Sequence, residues 1–225
     1  MADEKGGEQQ RHSVAFSADL VTDPQKRAEQ EARNGLLQFD AGMRIVEEWT
    51  SDNSRKFKLR PSLVLGLHRV ALDGISAYAG NFRPAGVSIE GSKHEPVGAH
   101  LVPELVEDMC DYVNANWAES ALHLSAYLMW RLNWIHPFAD GNGRTSRILS
   151  YVVLSIRLGY RLPGTPTIPE QIVDNRDPYF GALDAADAAW KEGRVDVSAM
   201  EQMLQAMLAR QLMGVIQNAG AKGVN

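Results

Sequence analysis

Apolar positions along this chain recur mostly at helical spacing, and the breaks between them carry helix-capping residues. Asp23-Pro24 pairs an N-cap residue with proline at the first helical position, so residues 24–49 read as helix, with Asn34-Gly35 as a candidate break. Leu63, Leu67, Val70 and Leu72 predict a second helix over residues 61–78. Pro103 opens a third, running to about Trp117. Residues 119–134 are apolar on most faces, as expected of a central buried helix, and a further apolar helix spans 144–158. Asp177-Pro178 starts another, ending near Gly193, and Ser198-x-x-Glu201 reads as a capping box for a last helix to about Leu212. Only residues 81–97 look extended. There Val87 and Ile89 alternate among glycines, which predicts a short hairpin. The fold class is all-α with a small β-hairpin, and no repeat of 20–50 residues interrupts it.

The chemistry is concentrated in one run, His136-Pro137-Phe138-Ala139-Asp140-Gly141-Asn142-Gly143-Arg144-Thr145-Ser146-Arg147, between the two most apolar helices. Gly141-Asn142-Gly143 admits backbone angles closed to most residues, and its successive N–H groups can form an anion-binding concavity. The turn opens a helix, where orphan N–H groups and the dipole favour phosphate. Arg144 and Arg147, three apart, share a helical face and offer forked phosphate contacts. Arg at a helix N-terminus opposes the dipole, so an anion is expected there. Asp140 is a hard oxygen ligand suited to Mg²⁺ shared with substrate phosphates. His136 is the candidate general base. Singly, each has an ordinary structural reading; their order and spacing point to phosphoryl or nucleotidyl transfer.

This run resembles the signature of the Fic domain family, His-x-Phe-x-(Asp/Glu)-Gly-Asn-Gly-Arg-x-x-Arg, at all eight defining positions. A chance match is on the order of 10⁻⁸. Ala79-Gly80-Asn81-Phe82-Arg83, Trp134-Ile135 and Pro178-Tyr179-Phe180 with Leu183 extend the likeness, which covers about residues 59–212. The resemblance implies transfer of AMP from ATP to a Ser, Thr or Tyr hydroxyl of a target protein, with release of pyrophosphate. His136 would be the base, Asp140 the Mg²⁺ ligand, Gly141, Asn142 and Gly143 the anion hole, and Arg144 and Arg147 the holders of the β- and γ-phosphates. Phe138 would anchor the loop in the core. Val87 and Ile89 would lie on a flap that docks the target strand, with His94 just beyond it. Gly143 separates the chain from the Doc kinases of the same superfamily, which resemble it but carry Lys there. The signature reads phosphates and not the base, so other donors, such as those of UMP or phosphocholine, stay open. So does a nucleotide-binding module without transferase activity.

Many relatives of this kind carry an inhibitory (Ser/Thr)-x-x-x-Glu-(Gly/Asn) motif, and no Glu here has Ser or Thr four residues earlier. Glu31 in Glu31-Ala32-Arg33-Asn34-Gly35 is the candidate for a diverged version, facing Arg147. Restraint by an antitoxin-like partner, or by self-association into a homo-oligomer, is the alternative.

Composition agrees with one enzyme domain. At 225 residues the chain is long enough for a real core. The expected division is a loosely packed segment 1–20, an N-terminal helical and candidate regulatory segment 21–58, a catalytic core 59–213 and a tail 214–225. A net charge of −5 argues against general nucleic-acid binding. The single cysteine, Cys110, excludes an internal disulfide and suits a reducing compartment. No apolar stretch has the length of a leader or a membrane span, so a cytoplasmic place of synthesis is expected. Metal-ligand spacing is lacking among His68, His100 and His123, which favours structural roles for them.

Overall fold

The computed structural model describes residues 12–14, 18–52 and 54–222, with side chains from 18 to 215. Among these residues there are eight α-helices: α1 (Pro24–Thr50), α2 (Pro61–Leu72), α3 (Val102–Ala115), α4 (Ala121–Ile135), α5 (Asn142–Leu158), α6 (Ile168–Asp174), α7 (Asp177–Lys191) and α8 (Ser198–Lys222). Two three-residue strands, β1 (His12–Val14) and β2 (Ser88–Glu90), complete the fold.

The centre is the pair α4 and α5. Leu124, Ala126, Leu128, Leu132 and Ile135 on α4, and Leu149, Val152, Val153 and Leu154 on α5, are fully buried. An antiparallel pair with such faces buries several large side chains per turn, each stabilising by roughly 1.5–3 kcal/mol. Ser120 caps α4 by accepting the His123 N–H at 2.9 Å, and Gly159, in the left-handed region, closes α5. Around the pair pack α1, α2, α7 and α8. Cys110 is buried in the core, and burial pushes its thiol up to about 12, so it is inert.

Five expectations change. Helix α2 ends at Leu72 and not at residue 78, because Asp73 leaves the helical region at φ −58°, ψ 128°. Helix α1 runs unbroken through Asn34-Gly35, because the buried Asn34 amide donates to the carbonyls of Ala71 and Asp73 at 3.2 and 2.8 Å and so ties α1 to α2 instead of ending the helix. The extended segment does not close as its own hairpin: β2 pairs antiparallel with β1, placing His12, Ser13 and Val14 opposite Glu90, Ile89 and Ser88. Glu201 forms no box with Ser198; its carboxylate sits 2.7 Å from His123 Nδ1, and Asp196 accepts the Ser198 N–H. Helix α8 continues past Leu212 to Lys222, and just before that point Gln211 ties it to α5 and the α5–α6 loop by donating to Tyr151 Oη and the Pro163 carbonyl. Helix α6 was not foreseen, although Thr167-Ile168-Pro169-Glu170 holds a true capping box with proline in the first turn. Of the loose segment expected over residues 1–20, residues 1–11 and 15–17 lie outside the described residues, while residues 12–14 pair as β1 and Asp19 bridges Ser76.

Candidate active site

The signature run forms the turn between α4 and α5, at the mouth of a cleft of about 1110 Å³. Three features of the run shape it. His136 ends α4 in the left-handed conformation at φ 53°, ψ 58°, a strained setting for a residue with a Cβ. Phe138 is fully buried and anchors the loop, as expected. Gly141 has φ +79°, and a Cβ there would lie 2.4 Å from Leu72 Cδ2, so only glycine fits both the backbone and the space.

The loop is held from behind by Arg83 and His68, neither of which the sequence placed at the site, and by Asn142. Arg83, nearly fully buried, donates to the carbonyls of His136 (2.7 Å), Ala85 (2.9 Å) and Val97, locking the base of the extended segment to the catalytic turn. The His68 ring stacks on Phe138 with centroids 3.6 Å apart. Its Nδ1 accepts the Gly80 N–H, so the neutral ring carries its proton on Nε2 and donates to the Asp140 carbonyl at 3.0 Å. Burial pushes His68 down to about 4, which keeps it neutral. Asn142 turns its amide back onto the loop, with Oδ1 accepting from Phe138 N–H and Nδ2 donating to the Phe138 carbonyl. Its side chain therefore shapes the turn, and only its N–H is left to face the cleft. The first intrahelical bond of α5 runs from Thr145 N–H to the Gly141 carbonyl, so the N–H groups of Asn142, Gly143 and Arg144 precede the ladder. Gly143 has an ordinary helical backbone, and a Cβ there would face Arg147 Nη1 at 3.1 Å. Glycine at this point keeps the concavity open.

His136 is buried, and its Nδ1 lies 3.2 Å from the Asn133 carbonyl. That contact places the proton of the neutral ring on Nδ1 and leaves Nε2 as the basic nitrogen. Burial drives the ring down to about 4, helped by His94 and Arg83. Neutral at physiological pH, it is in the form that accepts a proton. His94 stands near, with Nε2 2.7 Å from the Trp134 carbonyl and Nδ1 3.7 Å from Asp187.

One side of the cleft is cationic. Arg144, Arg147 and Arg176, the last unforeseen and at the start of α7, line one stretch of the cleft. Burial lowers Arg147, and Arg176 and Arg144 lower it further. Among the described residues Arg147 has no carboxylate within ion-pair distance. An enclosed guanidinium without an anion is costly, and an anionic ligand relieves it. Tyr179 is tied to Asn133 and Ser146 by hydrogen bonds of 2.8 and 3.4 Å, so it braces α5 from α7.

The other wall is α1. Arg27 Nη2 and Arg144 Nη2 both reach Asp140 Oδ2, at 3.0 and 3.1 Å. Glu31 lies 3.1 Å from Arg27 Nε and 3.7 Å from Arg144 Nη1. Glu31 thus does enter the site, but the signature arginine it meets is Arg144 and not the expected Arg147, which sits one turn deeper along α5. Val87 and Ile89 are both partly buried on β2's segment, Val87 just outside the strand. No group of three or more His, Cys, Asp or Glu side chains converges among the described residues. With Asp140 as one carboxylate, the donor set fits a metal shared with a nucleotide's phosphates and not one caged by protein alone.

Residues 58–154, which include the whole turn, all of α4 and most of α5, match the model of the Fic/DOC family. The chain belongs to this family. It is 30% identical over 190 residues to the protein adenylyltransferase Fic of Drosophila willistoni, across 78% of this chain and 36% of that protein. It is 27% identical to protein adenylyltransferase fic-1 of Caenorhabditis briggsae, again across 78% of this chain and 36% of that protein. The chain therefore spans little more than a third of these curated relatives. Among solved structures, a Fic family protein from Desulfovibrio desulfuricans G20 matches 88% of this chain and 56% of its own, with TM-score 0.62 and 25% identity. A Fic domain-containing signaling protein from Bacteroides thetaiotaomicron matches 80% of this chain and 70% of its own, with TM-score 0.64 at 21% identity, a likeness of fold. The helical architecture is that of the Fic fold. No helix among the described residues is long and apolar enough to cross a membrane.

Proposed function

We propose that this chain transfers AMP from ATP to a Ser, Thr or Tyr hydroxyl of a target protein. The observation that carries the reading is the cleft's division of labour. Arg147, with no ion-pair partner among the described residues, lies one helical turn behind the N–H groups that open α5, and a neutral His136 stands at the other side of the same turn. A triphosphate laid along that line puts its far phosphates on Arg144 and Arg147 and its α-phosphate nearest His136. His136 Nε2 takes the proton of the target hydroxyl as the oxygen attacks the α-phosphorus; the bond to the bridging oxygen breaks, and pyrophosphate leaves. Asp140 is the residue that would hold Mg²⁺. Bound there, the ion would supply charge neutralisation at the phosphates. The family's naming as adenylyltransferases supports the donor.

The target's strand is proposed to approach along the β2 segment, beside Val87 and Ile89, by β-augmentation. Glu31 is proposed to restrain the site by occupying Arg144; an antitoxin-like partner and self-association remain the alternative forms of control. Transfer of UMP or phosphocholine is the second reading, since no feature of the phosphate side selects adenine.

Incubation with Mg²⁺ and ATP, UTP or CDP-choline, alone and with cell lysate, tests the proposal by intact-protein mass. The expected result is an AMP adduct from ATP that disappears in His136→Ala. No adduct from any donor, with ATP still bound, would leave a nucleotide-binding module and overturn it.

A further inference from the structure

The charge on the two sides of Asp140 is unequal in origin. Its Oδ1 accepts the Gly141 N–H and so belongs to the loop. Its Oδ2 is the oxygen turned to the cleft, and two guanidinium groups converge on it. One is Arg144, part of the signature. The other is Arg27, from α1, outside the residues that match the family model. Arg27 is held in place by more than this contact: Asp19 Oδ1 accepts from its Nη1 at 2.7 Å, and Glu31 Oε1 from its Nε at 3.1 Å. Asp19 is itself fixed, bridged to Ser76, with Leu20 N–H bonded to the Ile75 carbonyl at 2.8 Å. Two carboxylates, Asp19 and Glu31, thus aim the Arg27 guanidinium at Oδ2 of a third, Asp140. Burial opposes the charge, and the contacts with Asp19, Asp140 and Glu31 outweigh it.

We infer that Arg27, beside the signature's own Arg144, is a resident cation of Asp140 standing where a divalent metal would bind, so that metal loading is an exchange in which Arg27 must leave Oδ2. The inference rests on the proposed role of Asp140 and adds to it a residue from α1. A carboxylate satisfied by a guanidinium binds a metal less tightly than a bare one by the strength of the pair it gives up. Both partners are partly exposed, 28% for Arg27 and 41% for Asp140, so the effect is modest and screened by salt.

The test is Mn²⁺ binding in the presence of ADP, followed through the electron paramagnetic resonance signal of free Mn²⁺. Arg27→Ala is expected to bind Mn²⁺ roughly fivefold more tightly than wild type, and Arg27→Gln, close in length and uncharged, to move the same way. The gain is expected to shrink in high KCl. Unchanged or weaker Mn²⁺ binding in both variants would overturn the inference. Asp140→Ala separates the two levels of the argument. If it weakens Mn²⁺ binding while the Arg27 variants do nothing, only the role of Arg27 falls. If it leaves Mn²⁺ binding unchanged, Asp140 is not the ligand and both readings fall.

Discussion

On one side of the cleft, the turn from His136 to Gly143 is held by buried contacts: Arg83 on the His136 carbonyl, His68 stacked on Phe138 and bonded to Asp140, and Asn142 folded back on Phe138. On the other side, α1 meets the site through Arg27 and Glu31, partly exposed side chains in ion pairs of 3.0 to 3.7 Å. Buried hydrogen bonds with no solvent to replace them fix geometry, and exposed ion pairs exchange with ligands at little cost. The first wall suits a site that must not move during a displacement. The second suits control.

That contrast is breakable by substitution. The largest effect is expected at the rigid wall. Gly141→Ala adds a Cβ at φ +79° and 2.4 Å from Leu72, and should cost about 2–4 kcal/mol, lowering the thermal midpoint by roughly 8 °C. Gly143→Ala, whose Cβ meets only the end of the Arg147 side chain, should leave the midpoint within about 2 °C. Equal losses in the two would mean that the turn is not shaped by packing against α2.

A second effect at the same wall is expected from pH. His68 and His136 each sit at about 4 in the folded chain against an ordinary 6.5. Between those values the unfolded chain binds more protons, so folding stability is complete above about pH 6.5 and is lost as pH falls toward 4. Denaturant midpoints measured across pH 4–7 should show this slope, and His68→Gln should flatten it. A stability that does not change over that window contradicts the burial of both rings.

The smallest effect belongs to α1. Glu31→Gln should raise ATP affinity by no more than about threefold, the scale of a half-exposed pair. No change in affinity or in self-modification would remove Glu31 from the control of the site.

The same contrast explains what could be read from the chain alone. His136, Asp140, Gly141, Asn142, Gly143, Arg144 and Arg147 are contiguous, so local backbone chemistry and spacing expose their shared task. Arg83, His68, Arg27 and Arg176 reach the site from four other places in the chain, and no local pattern marks a side chain as aimed at a carbonyl or carboxylate so far away in sequence. The helices were legible where a cap or a dense apolar run marks them, as Asp23-Pro24 marks α1 and the apolar runs mark α4 and α5. Asn34-Gly35 was misleading because a tertiary bond satisfies the Asn amide inside the helix, and the two-stranded sheet because strand pairing is non-local. The Thr167–Glu170 box was a local signal and went unread, since α6 is too short to show a period.

The central claim is the direction of the nucleotide, with its far phosphates on Arg147 and its α-phosphate beside His136. Calorimetric titration of wild type and Arg147→Ala with ATP and with AMP tests it most directly. The account predicts that the substitution weakens ATP binding about tenfold or more, the worth of a charge-assisted phosphate contact, and AMP binding less than about threefold. Equal losses for the two nucleotides would contradict it.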